Sequence, residues 1–172
     1  MLSLLQARRS IRRYTQQRPD QDVIDTLKEA VLRSPSSRGL NPWEFVFVDQ
    51  PDLLAQLASA KPHGSAFLQQ AALGVVVCGD ERQTDVWVED CSIASIILQL
   101  AAHAIGLGTC WIQIRNRTHN DTTSAEQYVQ RLLHLPEYLR VESIISIGYP
   151  DEQKEPHPTS SLEYGKIHLN QY

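Results

Sequence analysis

Apolar positions along this chain switch between helical and strand spacing, and proline, glycine and small polar residues mark the breaks. Leu2 to Ala7 reads as a short first helix. Pro19-Asp20 opens a second, with Asp20 at the N-cap. Val23, Ile24, Leu27, Ala30 and Val31 follow at helical spacing, so one face of that helix is buried. Ser34 to Pro42 is too dense in turn-formers to be anything but a loop, and the strand Trp43 to Val48 follows at once. Pro51-Asp52 starts an amphipathic helix through Leu53, Leu54, Leu57 and Ala58, and Phe67 to Ala72 forms a further helical turn.

The centre of the chain is its most apolar part. Leu73 to Cys78 is short, β-branched and uninterrupted, as expected of a strand covered on both faces. Asp90 to Ile105 is apolar nearly all round, through Ile93, Ile96, Ile97, Leu100, Ala101 and Ala104, which places this helix centrally with Asp90 as its N-cap. Gly106 suits a left-handed cap, Thr109 to Ile114 returns as a strand, Ser124 to Leu133 gives a helix, and Val141 to Ile147 is the last core strand. Asp151 to Tyr172 is polar, contains Pro156 and Pro158, and cannot bury itself. The expected organisation is one domain over residues 1–150 and an extension over 151–172 that embraces a partner subunit.

Composition narrows the function classes. A chain of 172 residues with 42% hydrophobic content suits a single compact domain. Sixteen basic and twenty acidic residues leave a formal charge of -4, which offers no general attraction to nucleic acid or to an anionic membrane. No run approaches the roughly 20 apolar residues of a membrane span. Met1 to Leu5 is too short for the apolar core of a signal peptide. Cys78, Cys91 and Cys110 lie far apart and at no metal-ligand spacing. The expectation is a reduced, cytoplasmic protein without a metal site.

Three segments carry candidate chemistry. Arg8-Arg9-Ser10-Ile11-Arg12 places three guanidinium groups and a hydroxyl at a helix-to-loop junction, which is what charge-assisted recognition of a phosphate requires. A solvated basic patch explains the same residues equally well in isolation. The loop Pro35-Ser36-Ser37-Arg38-Gly39 offers amides, hydroxyls and a glycine for close approach of a ligand, although ordinary turn chemistry also yields such a loop. Gly106-Leu107-Gly108 follows a helix and precedes a strand, the reverse of a Rossmann phosphate loop. The strand from Trp111 to Ile114 has peptide N–H groups to offer a planar ring.

Taken together and in order, Arg8-Arg9-Ser10-Ile11-Arg12, Pro35-Ser36-Ser37 with Asn41-Pro42-Trp43, Gly106-Leu107-Gly108-Thr109 and Gly148-Tyr149-Pro150 resemble the FMN-dependent nitroreductase superfamily over nearly the whole chain. The resemblance implies an α+β fold with a central, mainly antiparallel sheet flanked by helices, dimerised through the long helix with exchanged C-terminal tails. It implies a homodimer that binds FMN, takes hydride from NADH or NADPH, and passes it by a ping-pong route to a small acceptor such as a nitroaromatic or quinone. Dehalogenation, dehydrogenation, flavin breakdown and non-catalytic flavin binding on the same fold are the alternatives.

By the same resemblance, Arg8 and Ser10 hold the FMN phosphate, Arg9 fills the intervening position, and Arg12 reaches the pyrimidine edge of the flavin, where a cation stabilises the reduced ring. Pro35, Ser36, Ser37, Gly39 and Asn41 belong to a loop laid over the cofactor by the other subunit. Ile112, Gln113 and Ile114 form the segment whose amide faces N5. Lys154 adds a cation to the phosphate, while Pro156 and His157 stand where a second is usual, a role left to Lys166 or His168. No side chain is assigned as an essential acid or base.

Overall fold

The computed structural model describes residues 1–172 and contains four strands, β1 (Trp43–Val48), β2 (Leu73–Asp80), β3 (Gly108–Gln113) and β4 (Leu139–Gly148). Five helices join them: α1 (Leu2–Ala7), α2 (Gln21–Leu32), α3 (Pro51–Ala58), α4 (Trp87–Ala104) and α5 (Ala125–Leu132). The sheet runs in the order β1-β2-β4-β3 and every pairing is antiparallel. Both faces are covered. Leu54, Leu57 and Leu68, from α3 and the turn Ala66–Gln70, pack with Val129 of α5 against Val76, Ile112 and Ile144. On the other face Leu27 and Val31 of α2 and Cys91, Ala94 and Leu98 of α4 cover Val75, Val77, Ile145 and Ile147. This double cover explains why β2 is apolar without interruption: all of its residues are buried. No helix is long and apolar enough to cross a membrane.

The local signals of α5 and of the α4 terminus are realised. Ser124 and Gln127 form a reciprocal capping box at the start of α5. Gly106 ends α4 with φ +85°, a conformation that side chains disfavour. The start of α4 differs from the sequence expectation, because the helix begins at Trp87 and its N-cap is Val86, not Asp90. Packing accounts for the difference. A Cβ on Gly79 would lie 2.7 Å from Trp87 Cε3, so the bare glycine admits the indole, and burying that indole draws Trp87 to Glu89 into the helix. Asp90 is thereby released from capping.

Glu142 occupies an irregularity in the sheet. Val77 pairs with Ser143 and Cys78 with Val141, leaving Glu142 as the extra residue of a bulge. It is 4% exposed, and its Oε2 has no hydrogen-bond partner. Burial pushes its carboxyl above the usual carboxylate range, against the lowering effects of Gln113 and Arg115. A folded-state pKa raised in this way costs stability once the pH is high enough to ionise the group. Glu142→Gln is therefore expected to raise the Tm by about 2–4 °C at pH 7–8. Thermal melts across pH check this: the gain should disappear below about pH 4, where the unfolded chain also holds the proton, and a variant that melts lower at pH 8 contradicts it.

Beyond the sheet, the chain from Glu155 to Tyr172 is exposed throughout, including Leu162, Tyr164, Ile167 and Leu169.

Candidate functional site

The segment Arg8 to Arg12 leaves α1 and runs against the free edge of β3. Ser10 pairs with Thr109 as an isolated parallel bridge, and Ile11 N–H donates to Thr109 O at 2.9 Å. Gly108 makes that approach feasible, since a Cβ there would sit 2.8 Å from Ile11 Cβ and Cγ2. Tyr14 anchors the far end of the segment, its hydroxyl donating to Ile11 O at 2.6 Å and lying 2.7 Å from Ser146 Oγ.

The root of the tail meets the same segment. Lys154 Nζ donates to Ser10 O at 2.7 Å and lies 3.2 Å from Glu152. Glu152 accepts from the Arg12 N–H at 2.5 Å, and this bond, with help from Lys154, holds its carboxyl below the ordinary range. Arg9 donates through Nη1 to Glu155 O. A cleft of about 210 Å³ lies here, lined by Arg9, His103, Gly108 and Lys154. Cys110 reports the convergence: burial raises its thiol pKa, while Arg12, Ser10, Lys154 and Arg8 pull it down. Ser10, Arg12 and Lys154 are thus linked directly, through Ser10 O and Glu152, beside the edge of β3, and Arg8 adjoins them in the chain. None of Arg8, Arg9 and Arg12 has a carboxylate within 4.0 Å.

Of the three residues predicted to face the ring from the β3 segment, only Gln113 points its main chain outward. Ile114 N–H donates to Glu142 O on β4, whereas Thr109 O turns outward to Ile11. The alternation of an antiparallel ladder then directs the N–H groups of Trp111 and Gln113 to the free edge and that of Ile112 towards β4. The side chains of Ile112 and Ile114 are fully buried beneath α3 and α5. Gln113 is held by its own side chain, which accepts from Trp111 Nε1 at 2.9 Å and donates to Arg115 O at 3.1 Å.

The loop from Pro35 to Asn41 lies elsewhere. Ser37 N–H donates to Asp90 Oδ1 at 2.8 Å, and Asn41 N–H donates to Ser36 Oγ at 2.8 Å. Arg38, Gly39 and Asn41 all have positive φ, a tight conformation in which Ser36 Oγ also lies 2.7 Å from Asn41 Oδ1. Asp90 is in the first turn of α4, while the Arg8–Ser10 cradle adjoins its last turn. From Asp90 to His103 the helix rises ~20 Å at ~1.5 Å per residue, so one chain holds the two groups at opposite ends of α4. Lys166 is paired with Glu163 at 2.5 Å and His168 lies against Tyr172, both out in the exposed tail.

Sequence reasoning missed Glu152 and Tyr14 and gave Thr109 no role beyond its place in the glycine motif; all three tie the cradle to the sheet and the tail. Contacts that link Glu152 to Arg12, Thr109 to Ser10 and Tyr14 to Ser146 join residues far apart in the chain and leave no local pattern.

An antiparallel sheet covered on both faces, with a basic cradle along one edge, is unlike the parallel sheet of a Rossmann dehydrogenase. Residues 5–61 and 56–149 match the Nitroreductase family, and the chain belongs to it. A solved FMN-dependent nitroreductase from Clostridium difficile R20291 superposes with a TM-score of 0.98 at 43% identity, covering 100% of each chain. A Methanothermobacter thermautotrophicus protein, provisionally named an NADH dehydrogenase/NAD(P)H nitroreductase, is 31% identical over 175 residues, covering 100% of this chain and 87% of its own. The FMN reductase [NAD(P)H] of Bacillus subtilis is 26% identical over 192 residues, covering 95% of this chain and 72% of its own.

Proposed function

We propose that this chain works as a homodimeric, FMN-dependent oxidoreductase that draws hydride from NADH or NADPH and delivers it to a small acceptor such as a nitroaromatic or quinone. The observation that carries the reading is the cluster of Arg8, Ser10, Arg12 and Lys154, three cations and a hydroxyl gathered beside a strand edge with unpaired amides. This donor set fits a phosphate joined to a flat, hydrogen-bonding ring. FMN, when bound, supplies the two-electron chemistry that no side chain here could provide.

The chain's own residues hold and orient. Arg8 and Lys154 would neutralise the phosphate and the Ser10 hydroxyl would donate to it, with Arg9 fixing the tail root through Glu155 O. Arg12 would supply a cation to the pyrimidine edge of the flavin, and the Gln113 N–H, on the free edge of β3 and braced by Trp111, would be available to hydrogen-bond the ring. Ile112 and Ile114 keep the strand rigid from beneath. No sequence neighbour of the cradle is needed as acid or base.

Separation of the loop from the cradle by the length of α4 supports the homodimer. A second copy packed antiparallel along α4 brings its Pro35, Ser36, Ser37, Gly39 and Asn41 over the first copy's cradle. Ile93 and Ile96 on the open side of α4, with Leu2 and Leu5 of α1, provide the apolar surface for that packing. The extension over residues 151–172 then crosses to the partner, and the groove of about 460 Å³ between α2 and β1, lined by Val31, Leu32, Trp43, Phe45 and Phe47, offers its apolar side chains a seat.

Stopped-flow spectroscopy without oxygen tests this reading. FMN-loaded protein should lose its visible flavin absorption on mixing with NADH or NADPH and regain it on adding a nitroaromatic or quinone. Bound flavin that neither nucleotide bleaches contradicts the assignment.

A further inference from the structure

Two cations outside the cradle stand on segments that His119 ties together, Lys61 just after Ser59 and Ala60 and Arg117 two residues before the histidine, and neither has an acid to balance it. Lys61 follows α3, is half-buried, and has no carboxylate within 4.0 Å. Burial lowers its ammonium pKa, the charge of Arg117 lowers it further, and the Cys110 thiol acts in the opposite direction. Arg117 likewise has no carboxylate within that distance, and its guanidinium donates only to its neighbour's carbonyl, Asn116 O.

The juxtaposition is built, not incidental. His119 Nδ1 lies 3.0 Å from Ser59 O and 3.3 Å from Ala60 O, which fastens the loop after β3 to the residues just before Lys61. The His119 ring stacks on Tyr128 with centroids 4.1 Å apart, and the Tyr128 hydroxyl donates to Gln56 O at 3.0 Å. Both sides of the seam are thus pinned to α3 and α5.

The pair also belongs to the same side of the molecule as the cradle. Cys110 feels Arg12, Lys154 and Arg8 and in turn influences Lys61, and the Arg12 guanidinium lies 5.7 Å from the Phe67 ring, which follows the Lys61 loop. In a chain of net charge -4, none of the side chains of Arg12, Lys61 and Arg117 is ion-paired, although Glu152 accepts from the Arg12 main chain. Phosphate binding within the cradle already has Arg8 and Lys154, so the second pair is surplus to it.

We propose that Lys61 and Arg117 form an oxyanion subsite at the rim of the β3 edge, receiving a phosphate or carboxylate of the passing substrate rather than of the resident cofactor. The inference rests on the flavin reading above and adds a substrate class to it. Two sources carry this chemistry: the 2′-phosphate that distinguishes NADPH from NADH, and an acidic substituent on an aromatic acceptor. An incoming oxyanion would relieve the repulsion between the two cations, so binding gains from a tension present in the free protein.

Equilibrium titration of FMN-loaded parent, Lys61→Gln, Arg117→Gln and double-variant proteins tests the subsite with two matched ligand pairs, NADP⁺ against NAD⁺ and 4-nitrobenzoate against 4-nitrobenzamide. The double variant should bind the more highly charged member of at least one pair about tenfold more weakly. Its partner's affinity, the FMN content and the Tm should stay as in the parent. Loss confined to NADP⁺ assigns the subsite to the nucleotide, and loss confined to nitrobenzoate assigns it to the acceptor. Equal weakening of both members of each pair, or no weakening at all, overturns the subsite while leaving the flavin reading intact. A parent chain that takes up no FMN overturns both.

Discussion

Replacing Arg8 and Arg12 together by alanine should weaken FMN binding by about 10²- to 10⁴-fold while leaving the protein folded. Each side chain is expected to contribute one charge-assisted contact of about 1.5–3 kcal/mol, and the two contacts meet different parts of the ligand. Neither guanidinium has a carboxylate partner in the chain, so removing both breaks no ion pair and relieves like-charge crowding around Lys154. Circular dichroism and thermal melting should therefore match the parent. Fluorescence titration of free FMN gives the affinity directly, and an undiminished affinity would remove Arg8 and Arg12 from the site.

Gly108→Val should damage fold and site at once. The new Cβ would lie 2.8 Å from Ile11 Cβ, an atom that no rotamer change moves, so the segment Arg8 to Arg12 must lift from β3 or the strand must shift. Overpacking of this kind costs about 1–3 kcal/mol, and more where the added side chain is branched at Cβ. For a domain of this length that corresponds to a fall in Tm of roughly 2–12 °C. The bridge between Ser10 and Thr109 should break first, so FMN affinity should fall with the Tm. Gly165→Ala, where nothing lies within 4 Å of the added methyl group, serves as the matched control and should change neither quantity. A Gly108→Val protein with parental Tm and parental affinity would show that the cradle does not depend on this close approach.

The sequence disclosed the elements whose causes are local. The spacing of Val23, Leu27 and Val31, the glycine cap at Gly106 and the apolar run of β2 each state a period or a cap within a few residues, and each element appears where that signal puts it. Asp90 shows where this reasoning ends. Its type and position advertise an N-cap, yet the burial of Trp87 against Gly79, an approach made across the sheet, extends the helix past it. Asp90 instead secures the Ser37 amide, an outcome that depends on where the α2–β1 loop lands.

The site divides along the same line. Arg8, Ser10 and Arg12 are neighbours in the chain and form a recognisable motif. Lys154 joins them only because Tyr14 and Ser10 dock the segment beside the end of β4. Lys61 and Arg117 are invisible as a pair in the sequence, since their apposition depends on a His119 hydrogen bond bridging about sixty residues. The loop from Pro35 to Asn41 is recognisable by composition, and its distance from the cradle becomes evident only once α4 lies between them.

Subunit mixing tests most directly whether two copies build one flavin site. Arg8→Ala/Arg12→Ala protein has a defective cradle and an intact loop, whereas Ser37→Trp protein has an intact cradle and an obstructed loop. Each alone, incubated with FMN and then freed of unbound flavin, should retain no yellow colour. After the two are unfolded together and refolded, statistical pairing gives mixed dimers with one complete site each, and flavin absorbance should return to about a quarter of the parental value. A mixture that stays as colourless as its components would contradict the shared site, as would a parent protein that never becomes yellow.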